Sequence, residues 1–284
     1  MSENKKIRII IDSTTDLPPA YQSKVLTAPL MVSFGEKEYR DGIDLSRKDF
    51  YQKLEQESIL PKTSQPSPAV FESLYKQVRG ECACAVVITL SSVLSGTYQS
   101  ACIAAKDYPE IRVVDSLNVA LGTGILAEYA IHLAEEGMSL DDLADELEKK
   151  KKDICLIAML DTLEYLMKGG RLSRTAAFAG SLLNIKPVIT IKDGTVVVLG
   201  KARGAKKANN LLVELITQNG VEYSKPVLLG YSGTSDQLLQ NYITDSQDLW
   251  VGHLSRLDCC QICSVIGTHA GPGAVAVAFF RSET

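Results

Sequence analysis

The residues of this chain best suited to chemistry sit in polar loops and in one histidine-bearing run. That run, Ile266-Gly267-Thr268-His269-Ala270-Gly271-Pro272-Gly273-Ala274, holds one of only three histidines. It is too rich in glycine and proline for a helix or a regular strand. Glycines let backbone N–H groups approach a ligand, and an imidazole adds a polar donor. A tight turn with an exposed histidine fits the same residues. Thr63-Ser64-Gln65-Pro66-Ser67-Pro68 is a polar loop ahead of a helical pattern over 69–78. Ser67 and Pro68 suit the cap and first residue of that helix, which leaves the hydroxyls of Thr63 and Ser64 free for a ligand. Thr89 to Gln99 passes from an aliphatic strand through a hydroxyl-lined loop into a helix, with Ser95 and Gly96 at the helix start. Unpaired N–H groups and the dipole make such an end an anion site, although a capping serine would look the same. No G-x-S-x-G elbow is present, and His132, His253 and His269 give no clue to a catalytic triad.

Two arginines stand out. Leu166-Met167-Lys168-Gly169-Gly170-Arg171-Leu172-Ser173 breaks a helix with paired glycines and presents Arg171. Lys201-Ala202-Arg203-Gly204-Ala205-Lys206-Lys207 reads as a basic loop opening another helix. Arg171 and Arg203 could each grip a carboxylate or phosphate, or be plain surface charges. Asp12-Ser13-Thr14-Thr15-Asp16-Leu17-Pro18 follows the first strand, where ligands gather in parallel sheets. Its carboxylates could be acids, ligands or caps, and Asp16 before Leu-Pro-Pro suits a cap. Gly122-x-Gly124-x-x-Ala127 loosely matches a dinucleotide fingerprint. It lies several residues beyond its strand and lacks the acidic residue that should follow. There is no Walker A sequence. Cys260-x-x-Cys263 lacks the second pair of a metal knuckle, and it runs into the apolar stretch 262–266 rather than opening a helix. Structural cysteines and no metal are expected.

The elements that must position these loops are legible as a pattern. Near-continuous aliphatic runs at 7–11, 85–90, 111–114, 155–158 and 227–230 read as buried parallel strands. Helical patterns at 49–57, 97–106 and 125–136 alternate with them. Ser139-Leu-Asp-Asp opens a further helix with a cap and an acidic first turn, and Lys149 to Lys152 close it. The pattern restarts at Ile154, which puts a domain boundary near residue 150. In the second half, Lys192-Asp193-Gly194-Thr195 between β-rich runs signals a hairpin, and 274–280 reads as a final strand. The expectation is α/β, with a parallel-sheet domain over 1–150 and a mixed-sheet domain over 151–284.

Composition sets the outer bounds. The 284 residues are 45% hydrophobic and 23% charged, enough to bury sizeable cores. A net charge of −4 gives no electrostatic footprint for nucleic acid, and the lysine run is better read as a solvated helix end. Seven cysteines, an odd count, fit reduced thiols. The first residues lead straight into 7–11, too short a run for a signal peptide or a membrane span, so a cytoplasmic protein without stable membrane insertion is expected.

In order along the chain, the motifs match a known family. Asp12-Ser13-x-x-Asp16-Leu17-Pro18, Thr63-Ser64-Gln65-Pro66-Ser67, Leu90-Ser91-Ser92-x-Leu94-Ser95-Gly96-Thr97-Tyr98 and Val114-Asp115-Ser116 lie in the first half. Lys168-Gly169-Gly170-Arg171-Leu172-Ser173, Lys186-Pro187, Lys201-Ala202-Arg203-Gly204 and His269-x-Gly271-Pro272-Gly273-Ala274 follow. Each alone is weak; the ordered set resembles the DegV family of bacterial fatty-acid-binding proteins. Ala120 and Ala276 depart from it, standing where serine and glycine are expected. The resemblance implies a two-domain α/β fold with one long-chain fatty acid held between the domains and no cofactor. It implies that the carboxylate is bound by Thr63, Ser95 and His269, with Ser64, Gly96 and Arg171 in support. It further implies an acyl-binding subunit that presents the carboxylate to a separate ATP-binding fatty acid kinase subunit, whose acyl phosphate feeds phospholipid synthesis. Arg203, amid too much charge for one carboxylate, is assigned to contact with that partner. On this reading the chain is not itself an enzyme. The alternative is a small-molecule enzyme with His269 as general base and Ser95 or Asp12 as its partner.

Overall fold

A computed structural model describes residues 6–57, 59–172 and 184–282. Ser173, the last residue of the Lys168 motif, lies outside them. The first half runs β1 (Ile7–Asp12), α1 (Pro19–Gln22), β2 (Val25–Ala28), β3 (Met31–Phe34), β4 (Lys37–Arg40), α2 (Arg47–Gln56), β5 (Lys62–Ser64), α3 (Pro68–Gly80), β6 (Cys84–Thr89), α4 (Thr97–Ala104), β7 (Ile111–Asp115), α5 (Ala120–Glu135) and α6 (Leu140–Lys150). Strands β2, β1, β6 and β7 form an all-parallel sheet in that order. A small antiparallel sheet, β4-β3-β5, stands beside it and carries Thr63 on its edge. The sequence pattern did not foretell that sheet, whose short strands show no sustained alternation.

The second half runs β8 (Ile154–Met159), α7 (Glu164–Lys168), β9 (Ile185–Lys192), β10 (Thr195–Arg203), α8 (Ala205–Asn219), β11 (Leu228–Tyr231), α9 (Gln237–Asp245), α10 (Gln247–Trp250), β12 (Asp258–Gln261), α11 (Ser264–Ala270) and β13 (Val275–Phe280). Its sheet, β10-β9-β8-β13-β11-β12, is mixed as expected. The direction of two strands is not. β8 is antiparallel to both its neighbours, and β11 is parallel only to β12. An aliphatic run reports that both faces of a strand are buried, whichever way it runs. One face of this sheet is covered by α8 and α9. The other meets α5, a helix apolar nearly all round, which lies between the two large sheets in one continuous core.

Several local expectations are corrected. The histidine run is helical: α11 holds His269 in its last turn. Gly267 is tolerated because the rings of Phe50 and Tyr51 lie where its side chain would be. The Gly-Pro-Gly segment ends the helix instead of preventing it, with Gly271 and Gly273 at φ of +73° and +81°. α5 starts at Ala120, five residues early, and encloses Gly122 and Gly124. Those glycines admit the Asn118 side chain and the Asp16 carbonyl and serve no dinucleotide. Asp16 caps no helix; Pro18 takes the position before α1. Lys201 to Arg203 form the end of β10, because pairing with Ile185 to Pro187 carries the strand past a bulge near Leu199. Cys260-x-x-Cys263 does lead from a strand into a helix, contrary to the sequence reading, with Cys263 at the N-cap of α11.

Candidate functional site

A cavity of about 280 Å³ lies between the halves. Leu156, Ala158, Ile189 and Ala276 line it from the six-stranded sheet, and Ile262, Val265 and Ile266 from the β12–α11 segment. Leu30, Leu90 and Ala120 close it from the first half. The polar lining converges on one region: Thr63, Ser64, Gln65, Ser95, Arg171 and His269. Thr190 is a polar wall residue elsewhere, but its hydroxyl is spent on the Leu156 carbonyl at 2.8 Å.

Each polar group is delivered by an identifiable element. Thr63 projects from β5, an edge strand of the small sheet. Its Oγ1 lies 3.0 Å from Nε2 of His269 on α11. The small sheet and α11 are brought together by one apolar cluster joining Val32, Phe50 and Tyr51 to Cys263 and Val265. The Tyr51 hydroxyl donates to the Ile262 carbonyl at 3.0 Å. Asp16 accepts from the Cys263 backbone N–H at 3.1 Å and pairs with Arg47 at 2.9 Å, and Arg47 also donates to the Gln261 carbonyl. The DSTTDLP loop therefore holds the base of α11 and does not reach the cavity. Burial pushes the Asp16 carboxyl up to about 7, against the opposing pull of Arg47. Burial likewise raises Asp12 to about 6, while bonds from Thr14 and Leu90 hold it down.

Ser95 stands just ahead of α4, whose N-cap is Gly96. Its Oγ accepts from the Thr97 N–H at 3.3 Å and meets the Thr97 hydroxyl at 2.9 Å. Arg171 bridges the polar region, and among the described residues its hydrogen-bond partners are carbonyls and not acids. Nε donates to the Leu94 carbonyl at 3.3 Å and Nη1 to the Gly169 carbonyl at 2.7 Å. Gly169 in turn admits the imidazole: a Cβ there would stand 2.2 Å from His269 Nδ1. Thr63, Ser64, Ser95, Gly96, Arg171 and His269 thus share one cavity, whereas Arg203 is exposed at the end of β10 and does not line it.

Burial, then the nearby Arg171 guanidinium, pushes the His269 proton affinity down to about 4. The ring is neutral at pH 7. Nδ1 has no hydrogen-bond partner among the described residues. We assign the ring proton to Nε2, since a proton on Nδ1 would be a buried donor without an acceptor. His269 then donates to Thr63, and the Thr63 hydroxyl is left to donate to an anion. Its lowered proton affinity makes the ring a weak base, and among the described residues no acid is bonded to it. Asp12, the other partner of that reading, does not line the cavity. Burial raises Cys260 and Cys263 well above the usual thiol range, which disfavours their thiolates despite the pair's place at a helix start. Sequence reasoning passed over Gln65, whose amide lies at the cavity beside Gly96.

Comparison with known proteins agrees over the whole chain. The model of the DegV family, described as uncharacterised protein, matches residues 6–282. A DegV domain-containing protein of Clostridium acetobutylicum is 35% identical over 284 residues, covering 98% of this chain and 99% of that one. Among solved structures, a DegV family protein from Thermus thermophilus, described by its fatty acid binding, is 32% identical. It superposes with a TM-score of 0.87 over 98% of this chain and 100% of its own. A stearic acid-binding protein from Eubacterium ventriosum is 27% identical, with a TM-score of 0.81 over 97% and 98% of the two chains. On its motifs, its two sheets and these matches, the chain belongs to the DegV family.

Proposed function

We propose that this protein binds one long-chain fatty acid in the cavity and presents its carboxylate at the polar end. The observation that carries the reading is the asymmetry of the lining, with aliphatic walls and polar side chains gathered in one region. Each methylene removed from water is worth about 0.8 kcal/mol, so a long chain is best held in such walls. Thr63, Ser95 and His269 form the carboxylate site, the two hydroxyls donating to it and His269 donating to Thr63, supported by Ser64, Gly96 and Arg171. A buried carboxylate needs several donors, and two hydroxyls, one of them oriented by a neutral imidazole, beside a guanidinium supply them. The chain divides into units 1–150 and 151–284, with the lipid between them.

The finer function follows from the resemblance. The protein is the cytoplasmic acyl-binding subunit of a fatty acid kinase, and a separate ATP-binding subunit phosphorylates the presented carboxylate for phospholipid synthesis. The lack of a Walker A sequence supports a division of labour in which the partner holds the nucleotide. Arg203, exposed beside Lys206 and Lys207, faces that partner. Mass spectrometry of ligand released from the purified protein tests the first step. One fatty acid per chain is expected; protein that carries none and takes up no added long-chain acid would end the proposal. Acyl phosphate formed from loaded protein, ATP and the kinase subunit tests the second.

A further inference from the structure

Gln65 belongs to a motif from which the proposed site takes only Thr63 and Ser64. Its side chain crosses to the other polar loop. Nε2 donates to the buried Ser100 hydroxyl in the first turn of α4, at 3.0 Å. The amide oxygen lies against Gly96, so closely that a Cβ there would stand 2.0 Å from Oε1. A side chain at position 96 and the Gln65 amide therefore exclude each other. The space where a side chain of residue 96 would stand is filled by the Gln65 amide, while Gly96 still lines the cavity.

The consequence concerns spacing. Thr63, two residues before Gln65, is bonded to His269, and Ser95 immediately precedes Gly96. The Ser95 hydroxyl is already engaged with Thr97 through two contacts, so it cannot turn toward a displaced ligand without losing them. The separation of the two donor groups must be set by the backbones that carry them. We infer that Gln65 is a positioning residue: by tying β5 to the start of α4 it fixes the Thr63–His269 pair and Ser95 at the span of a single carboxylate. This rests on the carboxylate-binding reading above.

The test compares affinities of the full-length protein for palmitate and for hexadecanol, which has the same chain without the carboxylate. Wild type is expected to prefer the acid. Gln65→Ala should weaken palmitate binding about tenfold and leave hexadecanol unchanged. Gly96→Ala, which expels the amide, should do the same alone and add little in the Gln65→Ala background. Should Gly96→Ala not fold, Ser100→Ala, which releases Nε2, takes its place in the cycle. Equal weakening of acid and alcohol by Gln65→Ala would mark a packing role and overturn the inference, as would an unchanged preference for the acid. A wild type without that preference would overturn the carboxylate reading, and this inference with it.

Discussion

His269 works as a neutral donor, and its surroundings make that measurable. On the proposed reading Ser95 donates to the carboxylate directly and His269 holds the Thr63 hydroxyl that does, so Ser95→Ala and His269→Ala should each cost about 1.5–3 kcal/mol, roughly tenfold or more in lipid affinity. Titration with a fluorescent fatty acid would read this, and unchanged affinity in both variants would move the carboxylate elsewhere. The proton affinity of His269 lies at about 4 in the fold against an ordinary 6.5. Its contribution to stability is therefore complete above about pH 6.5 and is lost as the pH falls toward 4, because the unfolded chain takes the proton first. Burial raises Asp12 to about 6 and Asp16 and Glu128 to about 7, and these act in the opposite sense, fading as the pH rises. The comparison must be with His269→Gln. Between pH 7 and 5, lipid-free wild type should lose about 2 kcal/mol more than the variant in urea unfolding. Parallel losses would mean an ordinary histidine. That Thr63, Ser95 and His269 line one cavity could be expected only from the ordered motifs, since a capping serine and an exposed turn histidine fit the same residues. The roles of Gln65, Asp16 and Arg47 could not be read from sequence, since their partners lie tens to hundreds of residues away.

α11 is the element on which the site turns, and the sequence hid it. Seven residues show too little periodicity to register, and three glycines with a proline over 266–274 argued against any helix. What makes it a helix is tertiary: Gly267 is pressed on Phe50 and Tyr51, where a Cβ would meet the tyrosine oxygen at 2.5 Å. Gly267→Ala should overpack this contact, cost about 1–3 kcal/mol in urea unfolding and weaken lipid binding by displacing His269. A variant that keeps both wild-type stability and affinity would show that α11 can shift freely. The hairpin, by contrast, was legible from two residues, since Asp193 and Gly194 both adopt positive φ, +50° and +76°. Strand direction was not legible at all. β8 and β11 read as parallel strands because burial on both faces leaves the same aliphatic run in either direction.

At the scale of the whole molecule, the proposed function calls on two surfaces, a buried one for lipid and an exposed one for a partner. Arg203→Ala should leave fatty-acid affinity unchanged and depress acyl-phosphate formation with the kinase subunit. Lost lipid binding with phosphorylation of the residual complex unaffected would put Arg203 in the pocket. The alternation of strands and helices conveyed a parallel sheet followed by a mixed one, because each half keeps its own sheet. It could not convey that α5 is shared between them, or that residues from the last tenth of the chain complete an apolar cluster begun near residue 30. That last feature orders events during synthesis. The ribosome must release Cys263 and Val265 before Phe50 and Tyr51 can be covered, and before Asp16 and Arg47 reach their backbone partners. The first half emerges early, but its Phe50 and Tyr51 face cannot be covered until residues 263–265 have been made. His269 arrives in the same short segment, so the covering of that face and the assembly of the cavity's polar end coincide.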